Sequence, residues 1–193
     1  MDHHVLTGDQ ERRQLNRTRR PRCGVGLAGV HPYAVLVASA RVFPHVRARN
    51  LEGLDVDLPD AFVGDRNIVA VAFHRNHQSL VDSWVPWFEE HAADDPGLRF
   101  YEVPTIGRMW APARNFIDGG MAAAIRDPAT LQRTLTVYGD VTRVTRPVGI
   151  EDRSTIALLL VDRSGQVLWR GSGGFAAPLA HDLEMVLGDD RRG

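Results

Sequence analysis

The sequence predicts an α/β fold in which helices flank a central mixed β-sheet, and three segments carry this prediction. Residues 67–73 ("NIVAVAF") are an uninterrupted apolar and β-branched run, typical of a central strand buried on both faces. Residues 155–173 contain two apolar runs joined by "RSG", which indicates a β-hairpin. Residues 79–91 repeat apolar side chains at helical intervals, which predicts an amphipathic helix after the central strand.

The length and composition are those of one soluble domain. With 193 residues the chain is long enough to bury a substantial apolar core. Its hydrophobic content of 44% and charged content of 24% are ordinary for a globular protein. A net charge of −1 does not favour nucleic acid as a partner. All 23 basic residues are arginines, so catalysis by a Schiff-base or phosphate-loop lysine is excluded.

Residues 1–40 are predicted to be an extension outside a domain that spans residues 41–190. The first 22 residues are polar and rich in arginine, which favours disorder. The apolar run that follows ends in Ala-Ser-Ala (38–40) and resembles a secretory signal or a marginal membrane anchor. Because His31-Pro32 interrupts this run, a cytoplasmic location is favoured. Export or membrane association through residues 17–40 and a misassigned start stay open.

The single cysteine, Cys23, lies in this extension. One cysteine cannot form an intrachain disulfide, and it excludes every CxxC redox or zinc motif. The arginines around Cys23 would favour its reactive thiolate form. A reductase that uses this one thiol therefore stays open as an alternative.

The elements of the domain follow in a regular order from Phe43. Residues 46–59 alternate in polarity and turn at Glu52-Gly53, which predicts a short hairpin before the central strand. Pro86 lies inside the helix predicted at 79–91 and should kink it or end its first part. A second strand is predicted at Leu98–Val103. The apolar face of the helix consists of Leu80, Trp84, Trp87 and Phe88.

The second half of the domain is predicted to contain a loop region, a helix, the hairpin and a last helix. Residues 104–125 are predicted as loop, short helix and turn. Asp127-Pro128 is a favourable helix start, and that helix is predicted to run towards Tyr138. In the hairpin, Gly165 can adopt the positive φ that its turn requires. The last helix, at about residues 177–187, has an apolar face of Leu179, Leu183, Val186 and Leu187.

This order of elements resembles the thioredoxin-like fold in its peroxiredoxin and TlpA branch, and the hairpin "LLLVDRSGQVLWRGSG" (158–173) carries the likeness best. The resemblance implies that residues 74–78 ("HRNHQ") occupy the loop in which the branch carries its reactive cysteines. It also implies a cis-proline just before the hairpin, where this chain has "EDRSTIALL" (151–159). Both redox features are absent, which argues against thiol–disulfide chemistry.

Within this fold the chain is also similar to the mitochondrial ATP synthase assembly factor family, thioredoxin-like chaperones associated with the membrane-embedded a subunit. The resemblance implies a non-redox binding or assembly module with a protein or peptide partner, such as a subunit of the membrane ATP synthase. The likeness extends over residues 43–187 and lies in Arg75, Ser83-Trp84, Phe88, "FIDGGM" (116–121) and "WRGSG" (169–173).

The predicted binding site is the mouth of the former cysteine loop. Arg75 and Asn76 lie just before a helix N-terminus, where free N–H groups and the helix dipole favour an anion such as a partner's carboxylate. Alternatively, Arg75 pairs with Asp82 or Glu102 for purely structural reasons. The predicted members of the site are His74, Arg75, Asn76, His77, Gln78, Ser83, Trp84, Trp110 and Arg114.

The two histidines of the loop do not predict a metal site. His74 and His77 have the spacing of a metal pair, but two histidines without a third ligand form a weak pattern, so no metal and no cofactor is predicted.

The favoured prediction is a protein that binds and does not catalyse. The alternatives are a thioredoxin-like oxidoreductase or peroxidase-type antioxidant enzyme with a degenerate site, and a domain with a purely scaffolding role.

Overall fold

The computed structural model describes residues 41–109, 119–121 and 128–190. The strands of these ranges form one sheet in the order β1-β8-β7-β4-β5-β6-β2-β3. The strands are β1 Arg41–Val42, β2 Val46–Asn50, β3 Asp55–Leu58, β4 Arg66–Ala72, β5 Leu98–Gly107, β6 Leu135–Gly139, β7 Ala157–Asp162 and β8 Gln166–Ser172. The helices are α1 Gln78–Asp82, α2 Val85–Asp94, α3 Pro128–Arg133, α4 Thr142–Val148 and α5 Ala177–Asp190. The predicted extension and Cys23 lie outside the described residues.

The central strand β4 is buried along its whole length, as its apolar sequence predicts. It pairs in parallel with β5 and antiparallel with β7, and β7 pairs antiparallel with β8. Helices α1 and α2 connect β4 to β5, and α5 follows the β7–β8 hairpin. This mixed sheet flanked by helices is a thioredoxin-like fold, which confirms the predicted fold class.

The core lies on both faces of β4 because successive side chains of a strand point to opposite faces. Ile68 and Ala70 belong to an apolar cluster that includes Trp84 before α2 and Leu183 of α5. Val69 belongs to the opposite cluster, which includes residues of α4 and of the β2–β3 hairpin. The candidate site described below therefore follows a strand that is packed on both faces.

Several predicted elements are confirmed. The first hairpin is β2–β3, with Gly53 at φ +89°, and Gly165 in the turn between β7 and β8 has φ +87°. The predicted break near Pro86 separates α1 from α2, and this proline lies in the first turn of α2, where its missing N–H costs nothing. Within the described ranges, none of the helices has the length and apolar content needed to cross a membrane.

Two predictions for residues 98–138 are wrong, and one later helix was not predicted. The helix that begins at Pro128 ends at Arg133, and the segment towards Tyr138 is β6, which lies between β5 and β2. Strand β5 extends to Gly107, where a loop was predicted, because its last residues pair in parallel with β6. Helix α4 at Thr142–Val148 was not predicted.

A buried ion pair fixes one end of the central strand. Arg66, the first residue of β4, donates to the carboxylate of Asp95 after α2. Its other terminal nitrogen donates to the Leu187 carbonyl oxygen of α5 at 2.9 Å. This guanidinium therefore joins β4, α2 and α5 at the end of the strand opposite the candidate site.

Candidate functional site

Residues 74–78 lie where the central strand gives way to a helix, as predicted. Strand β4 ends at Ala72, His74 is extended, residues 75–77 form a single 3₁₀ turn, and α1 begins at Gln78. The buried apolar run ends here, and polar side chains able to face solvent follow it. This strand–helix junction therefore exposes polar side chains directly after the central strand.

The imidazole of His77 fills the junction. His77 is only 2% exposed, its Nδ1 accepts a hydrogen bond from the Phe73 N–H at 3.4 Å, and its Nε2 lies 3.1 Å from the Ser154 carbonyl oxygen. The carbonyl can only accept, so Nε2 carries the proton of the neutral ring. Burial lowers the pKa of His77, and the neighbouring His74 lowers it further. At neutral pH the ring is uncharged and both of its nitrogens are engaged.

His74, Arg75 and Asn76 form the exposed part of the loop. The His74 ring contacts that of His77 edge-on, with centroids 5.0 Å apart. Neither the Arg75 nor the Asn76 side chain has a hydrogen bond or ion pair with another residue of the described part. The alternative that Arg75 pairs with Asp82 or Glu102 is therefore not what the structure shows. The loop exposes one guanidinium and one amide that are uncommitted among the residues the structure describes.

Gln78 connects the loop to a neighbouring cavity. Its side-chain amide donates to Asp82 Oδ1 at 2.9 Å and approaches Glu102 Oε2 of β5 at 3.5 Å. The cavity of about 410 Å³ beside it is bordered by α1, α2, β5 and α3. The sequence predicted only one role for Glu102, as an alternative partner of Arg75. A lone carboxyl group within the apolar run of β5 is the one sequence feature that could have identified it.

Trp84, a predicted member of the site, is buried. This side chain is 1% exposed, and its Nε1 donates to the Gly173 carbonyl oxygen at 3.1 Å. Ser83 also faces the β8–α5 connection, since its Oγ accepts from the Phe175 N–H at 2.8 Å and donates to the Leu80 carbonyl oxygen at 2.6 Å. Both residues hold this connection against α1, and the Trp84 side chain belongs to the apolar core.

Two further predicted members of the site, Trp110 and Arg114, lie outside the described residues. Metal ligands do not cluster near the loop: no group of three or more His, Cys, Asp or Glu side chains comes together within the described ranges. Among the described residues, the predicted site consists of an exposed trio, His74, Arg75 and Asn76, with His77 behind it and Gln78 at its side. Trp110 and Arg114 stay predictions.

No protein-family model matches the sequence, and no curated protein matches it. Among solved structures, yeast Sco1 with copper bound is 14% identical, with a TM-score of 0.52 over 77% of this chain and 92% of that chain. BsSco, a member of the Sco family of cytochrome c oxidase assembly proteins, is 13% identical, with a TM-score of 0.51 over 77% and 93%. The thioredoxin domain of a thiol-disulfide oxidoreductase from Bacteroides vulgatus is 21% identical, with a TM-score of 0.49 over 77% and 97%. At these identities the likeness concerns the fold alone.

Proposed function

We propose that this protein is a thioredoxin-fold binding or assembly module that works without thiol chemistry and recognises a protein or peptide at residues 74–76. The observation that carries the proposal is the buried, hydrogen-bonded ring of His77 at the strand–helix junction. Thiol–disulfide exchange requires an accessible thiolate, and the junction contains no cysteine. A neutral ring with both nitrogens engaged also offers no nucleophile in its place.

The exposed loop supports recognition of a carboxylate. Arg75 offers a planar guanidinium that can donate two parallel hydrogen bonds to a carboxylate, and Asn76 offers an amide next to it. A partner's C-terminus or an acidic side chain has the matching charge and geometry. Because neither residue is committed to another described residue, binding does not have to break an existing ion pair.

The resemblance at Arg75 and Ser83-Trp84 supplies a candidate partner. That resemblance makes a subunit of the membrane ATP synthase the first partner to test. BsSco, with the same fold, belongs to a family of cytochrome c oxidase assembly proteins, so the fold is compatible with an assembly role. This support is general, because the likeness to BsSco concerns the fold and not the loop.

The first experiment tests for thiol and peroxidase chemistry. Purified full-length protein and its Cys23→Ser variant are assayed for reduction of insulin disulfides and for turnover of hydrogen peroxide. We expect neither protein to act on either substrate. Activity that disappears with Cys23→Ser would assign a one-cysteine reductase, and activity that survives the substitution would assign an enzyme built on the loop. Either result would overturn the proposal.

The second experiment tests partner recognition by the loop. Tagged protein is crosslinked in cells that make it, and captured proteins are identified and quantified for the wild type and for Arg75→Ala/Asn76→Ala. Arg47→Ala removes an equally exposed guanidinium from the β2–β3 hairpin and is the matched control. We expect one partner whose capture falls about tenfold or more with the loop variant and is unchanged in the control. Equal capture by both variants would refute recognition at the loop.

A further inference from the structure

The cavity beside the loop has an excess of negative charge and an apolar wall. It encloses about 410 Å³ between α1, α2, β5 and the end of α3. Its wall includes the side chains of Val81, Val85 and Phe100. Three carboxyl groups face one guanidinium across this space: Asp82, Glu89 and Glu102 against Arg133. A cavity with this lining attracts a cation that carries an apolar chain.

Glu102 gives the cavity its specific character. This side chain is 7% exposed, and its one hydrogen-bond partner among the described residues is the Gln78 amide, 3.5 Å from Oε2. The Arg133 guanidinium donates to Thr130 Oγ1 at 3.0 Å and forms no ion pair with Glu102. A buried carboxylate normally has a counter-charge or several donors, since burial without them is costly. Within the described part of the chain Glu102 has the Gln78 amide as its one donor and a charge interaction with Arg133, but no ion pair or hydrogen bond with a cation.

We propose that this cavity binds a primary ammonium or guanidinium group carried on a short apolar chain. Glu102 is the buried counter-ion, the exposed carboxylates of Asp82 and Glu89 lie at the entrance, and the chain packs against Val85 and Phe100. The cation would add charge-assisted hydrogen bonds to the single long one that Glu102 accepts from Gln78. This inference goes beyond the proposed function and does not depend on it, because Arg75 and Asn76 do not line the cavity.

The same cation could come from a free alkylamine or from a lysine or arginine side chain of a protein. Full-length protein is therefore titrated with n-butylamine, with the acetylated tripeptide Gly-Lys-Gly amide and with n-butanol as the neutral isostere, and binding is followed by amide NMR shifts at pH 8. We expect saturable binding of at least one cationic probe, with shifts in α1 and β5, and none of n-butanol. Tighter binding of n-butylamine assigns a small-molecule amine, and tighter binding of the tripeptide assigns a protein side chain.

The variants locate the binding site. Glu102→Gln keeps the shape and removes the charge, and we expect it to weaken binding about tenfold or more. Glu89→Gln at the entrance should weaken binding less. Glu90→Gln removes an equally exposed carboxylate from the same helix but outside the cavity, so it should leave binding unchanged.

Three results would overturn the inference: no saturable binding of either cationic probe, equal binding of n-butanol, or unchanged affinity in both Glu102→Gln and Glu89→Gln. Glu89 lies on the surface, so its variant keeps the test decisive if Glu102→Gln does not fold. If the wild-type protein binds no amine but captures a partner through the loop, the amine inference is refuted and the proposed function is not. Amine binding without any loop-dependent partner would refute the proposed function alone.

Discussion

Substitution of His77 by glutamine tests whether a buried neutral imidazole closes the strand–helix junction. The ring donates to the Ser154 carbonyl oxygen at 3.1 Å and accepts weakly from the Phe73 N–H at 3.4 Å. One ordinary hydrogen bond contributes about 0.5–1.5 kcal/mol, and a buried group left without a partner costs about 1–3 kcal/mol. Glutamine can replace part of this network, so we expect a loss of about 1–2 kcal/mol in the free energy of unfolding at pH 8. For a domain of this size that corresponds to a fall in Tm of roughly 2–8 °C.

The pH dependence of the same variant is the sharper measurement. Burial lowers the pKa of His77 below its ordinary value of 6.5, so as the pH falls through 6.5 the unfolded chain binds a proton that the folded chain does not. The contribution of His77 is complete above pH 6.5 and is lost as the pH falls towards the lower folded-state pKa. One such proton gives a slope of at most about 1.4 kcal/mol per pH unit.

Urea unfolding of the wild type and His77→Gln between pH 5 and pH 8 measures this difference. The stability advantage of the wild type should be constant at the upper end of the range and should shrink as the pH falls below 6.5. An advantage that does not change with pH, or one that grows on acidification, would refute the assignment of a buried neutral ring. His45→Gln, which removes an exposed histidine outside the loop, is the control for nonspecific effects.

The remaining predictions concern stability and are checked by urea unfolding. Arg66→Met and Asp95→Ala should each lower the free energy of unfolding by about 3–5 kcal/mol, because each leaves a buried charge unpaired. The double variant should lose clearly less than the sum of the two single losses. Additive losses would contradict a direct ion pair. Burial raises the pKa of Glu102 above its ordinary value of 4.5. The stability of the wild type should therefore fall as the pH rises from 4.5 through the folded-state pKa, and Glu102→Gln should remove this fall. A pH profile that Glu102→Gln leaves unchanged would contradict a buried carboxyl group. Gly165→Ala, at φ +87°, should cost about 1–3 kcal/mol, whereas Gly188→Ala inside α5 should be neutral or stabilising; equal effects would contradict the positive φ.

The parts of the fold that were predictable have a strong local pattern. Strand β4 is an unbroken apolar run, and the β7–β8 hairpin adds a glycine that can take positive φ in its turn. Strand β6 escaped prediction because "LTVY" (135–138) directly follows a favourable helix start and is too short to show its own period. Its strand conformation depends on pairing with Thr105 of β5 and Arg49 of β2, which are distant in the sequence.

The location of the loop was predictable, but the roles of its side chains were not. His74 and His77 have similar sequence surroundings, and only the 3₁₀ turn determines that His77 points inward, towards a carbonyl oxygen of residue 154. Trp84 lies on the apolar face of the helix predicted at 79–91, and this spacing favours the core position that the structure shows. The cavity around Glu102 was missed because its walls come from segments spread over residues 78–134, so no local window contains it.

Whether the exposed loop and the cavity form one recognition surface or two can be decided by their energetic coupling. Arg75 offers a positive charge and Glu102 a negative one, and Gln78 belongs to the loop and also borders the cavity. A partner that presents an acidic and a basic group together would contact both. Its affinity should then respond non-additively to Arg75→Ala and Glu102→Gln, because loss of one contact loosens the geometry of the other. Separate ligands predict additive effects within about 0.5 kcal/mol, and that result would assign the loop and the cavity to independent tasks.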